Sequence, residues 1–405
     1  MSTVKQFPTP HFSKPVHWFS RIAGALYVRS ALGINELRIA NPHVLRQEVK
    51  AFKQGRQSLI LAFRHTAKED APALLVAVKQ SHLCFLYGRD VLNWAGNATK
   101  FLFPRLGFVA VQNRGNNKEG MHYLRREVQQ GRWPIALAPE GQVTYHCHRC
   151  EPIEMGVANL ASWALESGKD VCILPIAIGY RYRDSLDALL ERWKKETGLD
   201  LTRAGNRQRL GEACDKSLAL VASFFGLVLP SEPDFITRRN LLCEALLALG
   251  EEQANLHAGQ GTILDRLFRL RYQGEDTLFN QEETPHALVE GAKAAYEQEQ
   301  ARHFLRISQV VDILEYLDPS YLDEGEEGNR LFEVALNLLD INNRLCTGSI
   351  NTRYSPRGKR ATILVGEPIR FEKHSPQQGG RRKRLSLIHE AVYQGLKKTS
   401  RELKP

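Results

Sequence analysis

His65 and Asp70 lie five residues apart in the stretch RHTAKED. The apolar run SLILAF (Ser58–Phe63) ends two residues before the histidine, and helical spacing begins at the aspartate. A histidine at the C-terminal end of a strand stands on the sheet edge where α/β proteins build their sites. A carboxylate on imidazole Nδ1 fixes the tautomer and leaves Nε2 free to take a proton. The pair is then two-thirds of a triad whose hydroxyl comes from the substrate. Taken alone, it also fits a carboxylate that merely favours a helix N-terminus.

Further candidates follow in order, each at a strand end. LGFVAVQNRG (Leu106–Gly115) runs into Arg114, whose forked guanidinium suits a phosphate or another anion. APEGQ (Ala138–Gln142) sets Glu140 and Gly141 at the end of another strand, where a glycine lets a backbone approach closely. ILPIAIGY (Ile173–Tyr180) carries Pro175 inside the next one. Singly, these residues read equally well as a solvated loop arginine and a strand-end turn.

The elements that must position them alternate. SLILAF is continuously apolar, as expected of a strand covered on both faces. Asp70–Gln80 has helical spacing, with Pro72 in the first turn where its missing N–H does no harm. Strand patterns follow at Leu83–Tyr87, Phe108–Val111, Pro134–Pro139 and Val171–Tyr180, and helical ones at Asn117–Gln129 and Ile153–Glu166. This rhythm predicts an α/β fold, a mostly parallel or mixed sheet flanked by helices. From Asp184 to about Cys346 the pattern is almost wholly helical, and ATILVGEPIRF (Ala361–Phe371) then returns to strand character. The expected organisation is an N-terminal amphipathic helical segment over 1–56, a discontinuous α/β domain over 57–183 and 361–405, and a large all-helical insertion over 184–360 before the last strand.

RHTAKED, GFVAVQNR, APEGQ and ILPIAI, taken together, resemble the four blocks of the glycerolipid acyltransferases of the lysophosphatidate/glycerol-phosphate type. Those blocks are a His-x-x-x-x-Asp, a glycine and aliphatics leading to an Arg, a Pro-Glu-Gly, and an apolar strand with a proline. VGEPI (Val365–Ile369) resembles the family's closing strand. The resemblance covers roughly Gln57–Tyr180 plus Ala361–Phe371. It implies an O-acyltransferase in which His65 deprotonates an acceptor hydroxyl, Asp70 holds His65, Arg114 binds an acceptor anion, and Glu140 positions the acceptor or organises the site. It implies an acyl-CoA or acyl-carrier protein donor, a lysophospholipid-type acceptor such as 1-acylglycerol-3-phosphate, and neither cofactor nor metal. The family commonly has Asn before the histidine, where this chain has Arg64. Its third block usually continues with Thr or Ser and a basic residue, where this chain has Gln142-Val143. Further on, the family often has Phe-Lys before a glycine, where this chain has Ile153-Glu154 ahead of Met155-Gly156. Arg64, His146, His148 and Arg149 are the nearby replacements for the missing positive charge, and Arg64 is therefore taken as substrate-binding.

Composition bounds the partners. The chain has 405 residues, 43% hydrophobic and 25% charged, with a formal net charge of +10. Such a charge favours acidic partners: anionic lipid headgroups, an acidic carrier protein, phosphorylated substrates or nucleic acid. No nucleic-acid module is recognisable, and the basic residues are dispersed apart from Arg381–Arg384. Seven scattered cysteines and no secretory signal over Met1–Phe12 fit a reducing cytosol. Cys147 and Cys150 have metal-like spacing but no second ligand pair. No run reaches the roughly 18 apolar residues of a spanning helix. Leu218–Leu229 is too short and reads as a buried helix or the wall of an acyl-chain pocket. Membrane contact is expected to be peripheral, on an inner face, through His17–Ile34, Arg266–Tyr272 or Gly380–Lys398, each an amphipathic stretch with basic residues.

Overall fold

The computed structural model describes residues 7–94, 96–112, 118–279, 288–324, 328–373 and 380–405. The chain divides into two compact units, an α/β unit of Phe7–Arg183 and Pro356–Pro405 and a helical unit over Asp184–Ser355. In the first, the elements run α1 (Lys14–Ser30), β1 (Ile34–Ala40), α2 (Pro42–Lys53), β2 (Gln57–Phe63), α3 (Asp70–Ala77), β3 (Cys84–Gly88), α4 (Val91–Trp94), α5 (Asn97–Arg105), β4 (Val109–Val111), α6 (Lys118–Gln130), β5 (Ile135–Leu137), α7 (Gly156–Glu166) and β6 (Asp170–Arg181). The helical unit holds α8 (Leu186–Thr197), α9 (Asn206–Phe224), α10 (Phe235–Gln253), α11 (Ile263–Phe279), α12 (Leu288–Leu314), a 3-10 turn (Pro319–Asp323) and α13 (Gly328–Leu345). The chain then returns to the α/β unit with β7 (Lys359–Val365), β8 (Ile369–Phe371) and α14 (Arg381–Glu402).

The sheet has the order β1-β7-β6-β2-β5-β3-β4, with β8 also on β6. β6, β2, β5, β3 and β4 are mutually parallel; β7 and β8 both run antiparallel to β6, and β1 is parallel to β7. The sheet is therefore mixed and mostly parallel. The continuous apolar strands carry two cores by simple alternation. On β2, Leu59, Leu61 and Phe63 face one core with Val28, Leu45, Val49 and Leu74 from α1, α2 and α3. Ile60 and Ala62 face the other, with Leu124, Val128, Val157, Leu160, Ile388 and Val392 from α6, α7 and α14.

Two expectations are corrected here. Residues 7–56 are not a purely helical appendage: Ile34–Ala40 is a strand, in parallel register with β7 from Ile34 opposite Lys359 to Ala40 opposite Leu364. Ala361–Phe371 is not one strand but two, because Gly366, Glu367 and Pro368 interrupt it. Both pieces lie on the same side of β6: β8 opposite Val171–Ile173, β7 opposite Ile176–Arg181. Leu174 and Pro175 fall in the gap, where a residue without an N–H can sit inside a sheet.

In the helical unit, strong local signals end the helices. Ser185 and Asp234 accept from the N–H groups of Ala188 and Thr237, capping α8 and α10. α9 stops in a Schellman motif, Leu227 N–H to Ala222 O and Gly226 N–H to Ser223 O, with Gly226 at φ +68°. The run Leu218–Leu229 is thus broken by a glycine: Leu218, Val221 and Ala222 are buried in the unit's core, while Phe224 and Val228 are exposed. It is not a continuous apolar wall. α13 is buried along most of its length, charged residues included. Arg344 bridges Asp340 at 3.0 Å and Asp312 at 2.6 Å, and Arg353 reaches Asp340 at 2.9 Å.

Candidate active site

β2 ends at Phe63, and Arg64 and His65 continue along its line, with Arg64 N–H donating to Ile176 O of β6. Three residues of turn, Ala67 to Glu69, separate Thr66 from α3, which begins at Asp70 with its carboxylate in the first turn. That corner folds Asp70 back on the histidine: Nδ1 of His65 is 3.2 Å from Oδ2 of Asp70. The carboxylate side chain is wholly buried, whereas the imidazole is 24% exposed. Oδ2 also accepts the N–H groups of Thr66 (2.6 Å) and Ala67 (2.8 Å), and Oδ1 accepts the Tyr180 hydroxyl at 2.6 Å. A carboxylate with this many donors can only accept from the imidazole. Nδ1 therefore carries the ring proton, and Nε2 is left basic.

Tyr180 is not among the residues picked out by sequence motifs. Its phenol is pushed well above the usual tyrosine range by burial and by the Asp70 and Glu69 carboxylates, so it stays protonated and donates. Beside it, Lys359 Nζ donates to Glu69 Oε1 at 2.8 Å and lies 5.6 Å from the Tyr180 ring centre. The sequence signal was the tyrosine closing an otherwise apolar strand, since a buried hydroxyl needs a partner.

The loop after β5 fixes His65 from behind. Glu140 Oε2 accepts the His65 N–H at 3.1 Å, and Thr144 N–H donates to the His65 carbonyl at 2.7 Å. Glu140 Oε1 accepts from Arg64 Nε at 2.6 Å, and both side chains are wholly buried. The remaining Arg64 donors go to Ser400 Oγ (2.8 Å), Thr144 Oγ1 (3.2 Å) and the carbonyls of His146 and Arg149. Burial works against the Arg64 charge, but the Glu140 carboxylate outweighs it and raises the guanidinium pKa. Burial likewise raises the Glu140 carboxyl, with Arg64 opposing.

These contacts correct three expectations. Arg64 is not placed to bind a substrate; its donors are committed to a buried bracket. Of the two parts expected of Glu140, its contacts are those of organising the site: it holds the backbone of His65 and the side chain of Arg64. Gly141 is required for its φ of +76°, not for close approach, because an added Cβ would meet Glu154 Cγ only at an ordinary 3.5 Å. Pro175 is buried in β6 opposite Ala62, its carbonyl accepting from Gly366 N–H at 2.9 Å, so its part is in the sheet. Arg114 lies outside the described residues. His146 is also buried, and His148 Nδ1 is 3.4 Å from the Ser400 carbonyl. Cys147 packs with Ala177, Leu364 and Leu403, and burial pushes the Cys150 thiol up to about 12.

Residues 37–179 match the family model described as Acyltransferase. This stretch is an acyltransferase domain of the glycerolipid acyltransferase family. The match runs from within β1 to the penultimate residue before Arg181, and so takes in β1 and α2, which the motif resemblance left out. His65, Asp70, Glu140, Gly141 and Pro175 all fall inside it. No curated protein matches the chain. Chemically, the acyltransferase domain presents an imidazole with a free Nε2 on the C-terminal edge of a parallel strand, backed by a buried carboxylate.

Proposed function

We propose that this chain moves an acyl group from an acyl thioester, acyl-CoA or acyl-carrier protein, to a hydroxyl of a (lyso)glycerophospholipid-type acceptor such as 1-acylglycerol-3-phosphate. His65 Nε2 takes the hydroxyl proton as the oxygen attacks the thioester carbonyl. The tetrahedral adduct collapses with cleavage of the C–S bond, and the imidazolium returns the proton to the departing thiolate. Asp70 stabilises the imidazolium without itself becoming protonated. Arg114 would meet an anionic group of the acceptor. The reaction calls on no metal or bound cofactor. The net charge of +10 suits an acidic donor and the anionic inner face of a membrane, on which a cytoplasmic, peripheral enzyme would work.

The observation that carries the reading is the His65–Asp70 contact at 3.2 Å, with Asp70 anchored by Tyr180 and two backbone N–H groups. The test is thiol release from labelled acyl thioesters, CoA and carrier protein in parallel, against a panel of lysolipid acceptors. His65→Ala should lower turnover about 10²–10⁴-fold, roughly 3–5 kcal/mol of barrier, with the fold intact. Parent-level turnover in that variant would reject the mechanism.

A second reading is an acyltransferase-like protein that binds lipid or a partner at a membrane without catalysis. It is favoured by Arg64, which replaces the family's usual Asn and whose charge is answered internally by Glu140. Vesicle binding with no thiol release from any donor would select it.

A further inference from the structure

Three amphipathic stretches were candidates for surface contact, and burial separates them. In α14 the apolar side is turned inward: Ile388, Val392 and Leu396 are buried. In the helical unit, Arg266, Leu267, Phe268 and Leu270 are buried. α1 differs. Its inner side packs through Val16 and Val28, with Gly24 set close to Val76. Its outer side leaves Trp18 67%, Phe19 60%, Ile22 51%, Leu26 66% and Tyr27 51% exposed. Isolated exposed apolar residues are ordinary; five large ones along one helix are a surface that meets something.

At the C-terminal end of α1 the same side chains run into a depression of about 610 Å³, lined by Leu26, Arg29, Asn35, Arg183 and Arg357 among others. The lining holds three guanidinium groups and no carboxylate. Among the described residues none of the three arginines is in an ion pair, whereas nearby Arg360 is answered by Glu36. Such a site takes oxyanions.

Topology sets this depression on the same sheet edge as His65. β6 is parallel to β2, so Arg183 and His65 both follow C-terminal strand ends. β7 is antiparallel to β6, so Arg357, just before it, lies on that edge as well.

We propose that the outer side of α1 and the adjoining arginine-lined depression dock on an anionic phospholipid bilayer, with headgroup phosphates held by Arg29, Arg183 and Arg357. An aromatic and aliphatic face beside fixed positive charge is what an interfacial helix presents, with rings at headgroup depth and guanidinium groups on phosphates. The inference deepens the reading of the chain as an enzyme of glycerolipid acceptors, since docking here brings the bilayer to the rim on which His65 opens.

The test is co-sedimentation of the full chain with phosphatidylcholine vesicles, with and without phosphatidylglycerol. Arg29→Gln/Arg183→Gln/Arg357→Gln should bind the anionic vesicles on the order of a hundredfold more weakly and the neutral ones as before. Trp18→Gln/Leu26→Gln, on the exposed side of the helix, should lose binding to both. His65→Ala should bind as the parent does, so that failure of the catalytic reading leaves docking standing and the reverse. Parent-level binding by the triple arginine variant would overturn the proposal. So would loss of binding on neutralising Arg381–Arg384 instead. Saturable uptake of inorganic phosphate that needs the three arginines, with vesicle binding unmoved by their loss, would assign the depression to a free anion and overturn it too.

Discussion

The chemistry of the candidate site is set by how fully one carboxylate is satisfied. Asp70 accepts from His65, two backbone N–H groups and Tyr180, and is buried. Hydrogen bonds to a charged group contribute about 1.5–3 kcal/mol each, so every donor both holds the geometry and spreads the charge. Removing the Tyr180 hydroxyl concentrates negative charge on the oxygens facing His65. Tyr180→Phe should therefore lower turnover roughly tenfold or more. Thiol release read against the parent, beside a urea unfolding curve, checks this. A tyrosine that only packs would lower stability and leave turnover near the parent's.

At the scale of elements, β2 and the loop after β5 are joined through Arg64 and Glu140. The pair at 2.6 Å is out of water, and Glu140 also takes the His65 N–H. Breaking a buried ion pair by removing one partner leaves an uncompensated charge and costs about 3–5 kcal/mol. Glu140→Gln should destabilise the chain by about that much in urea unfolding. It should also loosen His65, so turnover falls beyond what the lost stability explains. The double variant Arg64→Met/Glu140→Leu should recover much of the stability and little of the activity. Gly141→Ala is a milder case: the site has room for a methyl but φ is +76°, so the loss should be about 1 kcal/mol, from backbone strain.

At the scale of the whole molecule, the helical unit has its own source of cohesion, the Arg344, Arg353, Asp340 and Asp312 cluster around α13. Burial opposes the Asp340 charge, but Arg344 and Arg353 outweigh it and hold the carboxyl below its ordinary value. The sign follows. Where the unfolded aspartate takes a proton and the folded one does not, stability falls as pH falls. The contribution is therefore whole above the ordinary Asp range near pH 4 and is lost below it, through the lower folded value. Thermal melts of the full chain at descending pH should show Tm dropping below about pH 4. Asp340→Asn, already less stable at neutral pH, should show a shallower drop.

What the sequence determined by itself is what local chain geometry determines. A strand, a short turn and a helix start bring residues five apart together, so the His65–Asp70 contact was legible as spacing, as were the alternating elements and the long helical block. Residues whose meaning depends on distant partners were not. Tyr180 lies 110 positions from Asp70, Lys359 lies 290 from Glu69, and Ser400 lies 336 from Arg64. Arg64 read as a free cation until strand order buried it against Glu140, and Pro175 read as a site residue until β7 and β8 closed on either side of it. α1 and α14 carry similar amphipathic patterns, yet the sheet covers the apolar side of one and leaves that of the other to solvent. A pattern states that a side chain can be buried; which ones lose contact with water depends on the order in which strands and helices pack, and only the tertiary structure decides that.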